Sequence, residues 1–147
     1  MYHYVESGLP NVYLANGYEV IDTPYGAAVS IREVQKLHAV IAHSLVEDKP
    51  WLTGPELRFI RKYLELTQAA LGELLGVEEQ SVRRWEKLGR VPRAADHAVR
   101  LVFRDLTDST SRRLPEQVRR LAERKPPVAL RYCFRPRARN RRWQAAA

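Results

Sequence analysis

Leu66-Thr67-Gln68-Ala69-Ala70-Leu71-Gly72-Glu73-Leu74-Leu75-Gly76-Val77-Glu78-Glu79-Gln80-Ser81-Val82-Arg83-Arg84-Trp85-Glu86-Lys87-Leu88-Gly89 is the stretch that decides the fold. It reads as two short helices joined by one sharp turn. Thr67 can cap the first helix, because its hydroxyl accepts from a free N–H of the first turn. Leu71, Leu74 and Leu75 recur at helical spacing and are expected on one inward face. Gly76 stops that helix, since glycine enters the left-handed conformation without a Cβ penalty. Val77 plugs the turn. Glu78 or Glu79 opens the second helix, where negative charge suits the dipole. Val82 and Trp85 point inward, and Gly89 ends the segment. This is a helix-turn-helix pattern.

The match extends to a family. Leu66-Thr67-Gln68, Leu71, Leu75-Gly76-Val77, Val82 and Trp85-Glu86 resemble the Xre and phage-repressor helix-turn-helix domains, over about residues 53–106. The resemblance implies a double-stranded DNA ligand, with the second helix (79–88) in the major groove. It implies base contacts from Glu79, Gln80 and Arg84, a phosphate contact from Gln68, and an internal salt bridge between Arg61 and Glu86. Chemically, Gln80 suits adenine, Arg83 or Arg84 can fork onto guanine, and Glu79 can accept from cytosine. Arg90 and Arg93 flank the helix at positions suited to phosphate.

The chain divides into three expected parts: 1–50, 51–106 and 107–147. In the first, Val12 to Ile21 reads as a hairpin turning at Asn16-Gly17, which supplies two positive-φ residues. Thr23-Pro24-Tyr25-Gly26 is a second turn, and Ala27 to Ser30 a third strand. A helix follows over about 31–46, with Ser30 and Glu33 as a capping box. Val34, Leu37, His38, Ile41 and Leu45 share one face of it. His38 is read as a packed core residue, because no second ligand lies within helical reach on that face.

Thr53 and Glu56 form another capping box, with Pro55 in the first turn. Leu57, Ile60 and Leu64 point inward. A closing helix over about 94–106 is expected to bury Ala98, Leu101 and Val102. Beyond it, Pro115 starts a basic helix, Leu130 to Arg135 alternates like a strand, and Arg141 to Gln144 returns. The fold class is therefore mainly α, or α+β with the small β unit and the basic extension counted.

Net charge is +8, unevenly placed. Residues 1–111 hold 13 Lys/Arg and 15 Asp/Glu, whereas residues 112–147 hold 12 and 2. Such a run reads as a solvated tail and as an arm attracted to phosphates without reading sequence, and the two can hold together. Cys133 is the only cysteine, so neither an intrachain disulfide nor a thiolate metal site can form. No long apolar run or leader pattern is present, so a cytoplasmic protein without a membrane partner is expected. Four scattered histidines and carboxylates expected on exposed helix faces argue against an enzyme, a cofactor or a metal.

A hairpin unit and a helix before an Xre-type domain also look like MqsA (YgiT-type) antitoxin-like regulators. Their zinc-binding cysteines are missing here, and Tyr2, Tyr4, Tyr13, Tyr18 and Tyr25 would have to supply the core. The expected function is a homodimeric, sequence-specific transcriptional regulator. Two alternatives stay open: an antitoxin-type autorepressor that also binds a toxin protein, and a protein-interaction adaptor that binds no DNA.

Overall fold

The computed structural model describes residues 1–107, 132–136 and 143–146. The described residues make a mixed α+β fold. Strands β1 (Tyr2–His3), β2 (Val12–Leu14), β3 (Tyr18–Thr23) and β4 (Gly26–Ile31) come first. Helices α1 (Val34–Asp48), α2 (Gly54–Tyr63), α3 (Gln68–Leu75), α4 (Glu79–Leu88) and α5 (Arg93–Thr107) follow. Strands β5 (Tyr132–Pro136) and β6 (Trp143–Ala146) come last. Contacts sort the chain into two units. One holds residues 1–44 with β5 and β6, and the other holds residues 45–107. The basic helix expected after Pro115 lies outside the described residues.

In the first unit, a four-stranded sheet runs β1-β2-β5-β6. Val12 and Leu14 are buried on either side of half-exposed Tyr13, the alternation a pleated strand imposes. Leu14 lies opposite Phe134, also buried, in a parallel β2–β5 pair. The expected hairpin about Asn16-Gly17 does not form. β2 gives its two edges to β1 and β5, and β3 pairs with β4 instead. The turn that closes a hairpin is Pro24-Tyr25, with Thr23 opposite Gly26. Gly26 there takes φ +117°, a conformation that favours glycine.

The Ser30–Glu33 capping box is also absent. Ser30 belongs to β4, and Glu33 sits at φ +49° just before the helix, its carboxylate on Lys36 at 2.6 Å. His38 packs as expected, stacked on Tyr4 with its Nε2 2.9 Å from the Tyr4 hydroxyl. Burial lowers its pKa from the usual 6.5.

The second unit follows the local signals more closely. Glu56 accepts from the Thr53 N–H at 2.8 Å, as a capping box requires. The Thr67 hydroxyl accepts from the Ala70 N–H at 3.0 Å. Gly76 caps α3 in the left-handed region at φ +70°. Leu52, Leu57, Ile60, Leu71, Val82, Val99 and Phe103 form the core.

Two faces differ from expectation. Leu74 is exposed, leaving Leu71 as the fully buried leucine of α3. In α5, Ala95, Val99 and Phe103 are buried while Leu101 is exposed. The face is rotated because Asp96 and Arg100 go inward as a pair, at 2.6 Å. Asp96 also accepts from the Leu52 N–H at 2.7 Å, and Arg100 donates to the Val46 carbonyl at 2.5 Å. Buried charge that is paired and hydrogen-bonded can sit where an apolar pattern would not place it.

Candidate nucleic-acid interface

α4 is fixed from within. Arg61 donates to both Glu86 oxygens, from Nε at 2.6 Å and from Nη2 at 3.1 Å. Its Nη1 donates to the Leu66 carbonyl at 2.9 Å, which ties in the segment before α3. Gln68 Nε2 donates to Glu86 Oε2 at 2.9 Å. One carboxylate near the end of α4 thus holds α2 and the first residue of α3. Both ion-pair side chains are nearly buried, at 11% and 6% exposed.

Two glycines permit close approach. A Cβ on Gly54 would lie 2.5 Å from the carbonyl oxygens of Trp85 and Glu86. A Cβ on Gly72 would lie 2.7 Å from the Val77 carbonyl oxygen. The start of α2 therefore abuts the α4 backbone, and α3 abuts the turn that launches α4. Neither contact is visible in the sequence, because each is made between backbones brought together by the fold.

The outer face of α4 is polar and exposed. Gln80 and Arg84 are exposed and meet no partner among the described residues. Arg83 is held by Glu79 at 2.9 Å, an (i, i+4) pair with both side chains about half exposed. Trp85 is half-buried, and Val82 fully so. An open groove beside α4 is lined by Arg58, Arg61, Thr67, Gln68, Glu79, Arg83, Glu86 and Lys87. Of the residues expected to touch phosphate, Gln68 spends its amide on Glu86. Arg90 is exposed at the end of α4. Arg93 is exposed and lies over the Trp51 ring, 5.9 Å from its centre.

The structure thus gathers Gln68, Glu79, Arg83 and Glu86 along one groove and leaves Gln80 and Arg84 pointing out. Arg58 and Lys87 also reach the groove. The spacing offered a signal for both, since Arg58 lies one turn before Arg61 and Lys87 one turn after Arg83. The carboxylates are not all exposed as expected. Glu56 and Asp96 are buried, but each faces a cation, Lys49 and Arg100. No group of three or more metal-ligating side chains occurs among the described residues. No described helix is long and apolar enough to cross a membrane. Compared with protein families, characterised proteins and solved structures, the chain matches none.

Proposed function

We propose that this chain is a sequence-specific, DNA-binding transcriptional regulator of the Xre/phage-repressor type that reads the major groove with α4. The observation that carries the reading is the split of α4 into a fixed face and a free one. Glu86, clamped by Arg61 and Gln68, sets the helix angle. Gln80 and Arg84 then reach outward as a pre-set pair of base readers. Phosphate anchoring falls to Arg90, Arg93, Arg58 and Lys87, and to the first N–H groups of α3 at Gln68 and Ala69. Arg83 either keeps Glu79 or exchanges it for a guanine.

One such helix reads only a few base pairs. Two copies with their recognition helices about 34 Å apart would read successive turns of one DNA face.

Selection of bound sequences from random duplexes, followed by titration of variants, tests the reading. Gln80→Ala should narrow the gap between preferred and random DNA by roughly 1–3 kcal/mol. Arg93→Ala should weaken both alike and flatten the salt slope by about 0.9. An unchanged specific-to-random ratio in Gln80→Ala would remove α4 as the reading element.

A further inference from the structure

The β3–β4 ribbon keeps most of its surface in solvent. Val20 is 63% exposed and Tyr25, at the tip, 100%. Among the described residues its two strands pair only with each other. A lone two-stranded ribbon is marginally stable in water, and an open strand edge is a template for another strand.

The two edges of the ribbon differ. Residues pair in register from Thr23 with Gly26 to Tyr18 with Ile31, and the Arg32 N–H donates to the Gly17 carbonyl at 3.0 Å. Hydrogen-bonded and open pairs alternate along an antiparallel ladder. Gly26, Ala28, Ser30 and Arg32 therefore turn their backbone groups toward β3. Ala27, Val29 and Ile31 turn theirs outward. The β3 edge carries Glu19 and Asp22 and ends at Pro24, features that discourage pairing. From Gly26 to Ile31 the β4 edge has no charge and no proline. The ribbon, residues 17–32, carries Glu19, Asp22 and Arg32, and Arg32 is paired with Glu19, so it offers no basic surface to a nucleic acid.

We propose that β4 is the dimerisation edge of this protein, pairing antiparallel with β4 of a second copy about a two-fold axis at Val29. The sequence of β4 is self-complementary in that register. Val29 meets Val29 of the second copy, Ala27 meets its Ile31, and Ile31 meets its Ala27. These three pairs use the outward backbone groups of both strands and exchange about six hydrogen bonds. The side chains that meet are small or β-branched and apolar, the kind that pair well across strands. Pairing through β3 instead would bring Glu19 and Asp22 of both copies to the junction, with Arg32 offsetting only Glu19. The product is a continuous four-stranded antiparallel sheet, β3-β4-β4-β3. The inference rests on the dimer invoked in the functional reading, and it is tested without DNA so that the two fail separately.

The test uses the full chain and sedimentation equilibrium at concentrations from low to high micromolar. Wild type should dimerise. Val29→Lys and Val29→Asp each place like charges against each other at the axis and should weaken the dimer at least about tenfold. Mixed in equal amounts, the two variants should dimerise again, because Lys then faces Asp. That rescue separates a lost interface from a lost fold. A monomeric wild type, an unweakened dimer in either variant, or a mixture that stays monomeric would each overturn the proposal. If the dimer persists and DNA binding alone fails, the edge stands and the reading of α4 falls.

Discussion

The helical unit and the N-terminal sheet unit hold themselves together by different means. In the helical unit, buried charges do much of the positioning: Lys49 on Glu56, Asp96 on Arg100, Arg61 on Glu86. In the sheet unit, Tyr2 meets Tyr18, His3 stacks on Tyr13, and Tyr4 stacks on His38. Its ion pairs among the described residues, Arg32 with Glu19 and Lys36 with Glu33, lie at the surface. Aromatic contacts tolerate some sliding, whereas a bidentate guanidinium–carboxylate pair accepts one geometry. Helix α4, the proposed reading helix with Gln80 and Arg84 on its exposed face, lies in the unit with the stricter contacts.

The largest test of this contrast is Glu86→Ala. It strands the nearly buried Arg61 guanidinium and frees Gln68. The expected loss is about 3–5 kcal/mol, the range for breaking one side of a buried pair. Urea melts read it, and Glu86→Gln, which keeps an oxygen acceptor, should lose less. A loss below about 1 kcal/mol would mean that the pair behaves as a surface bridge and that the contrast is wrong.

Gly54→Ala comes next. Its Cβ has two carbonyl oxygens at 2.5 Å and no flexible side chain to push aside. Overpacking of this kind costs about 1–3 kcal/mol. Amide chemical shifts should move at Trp85 and Glu86 in α4, and specific DNA affinity should fall with them. A melt at the wild-type midpoint would show that α2 and α4 can separate freely.

The smallest effect is expected in the sheet unit and concerns pH. Burial lowers the folded-state pKa of His38 below its ordinary 6.5. Below pH 6.5 the unfolded chain therefore binds the proton more readily than the folded one. Stability is full above pH 6.5 and declines as pH falls toward the folded-state pKa. His38→Gln should flatten that decline in melts between pH 7.5 and 5 while leaving α4 unaffected. An equal slope in both proteins would place the pH response elsewhere.

The difference between the units also governs what could be read in advance. Thr67, Gly76 and the Thr53–Glu56 box act within a few residues of themselves, so their outcome was legible. Asn16-Gly17 is an equally plain local signal, yet β2 is claimed by β1 and β5. Val12 lies opposite Tyr132, a partner no local pattern names. The same pairing places β5 between β2 and β6, joining the last strands to the N-terminal sheet. In α5 an apolar pattern missed Asp96 and Arg100, since it counts charge as outward. Opposite charges four apart were the available sign that the two could go in together.

The sequence by itself determined the helices of the second unit, the turn at Gly76 and the identity of the residues on α4. Each depends on short-range backbone and capping physics. Tertiary structure alone decided which strands flank β2, which face of α5 is buried, and how closely the Gly54 backbone approaches α4. Those depend on backbones and charges far apart in the chain, which become neighbours only when the apolar surface between them is removed from water.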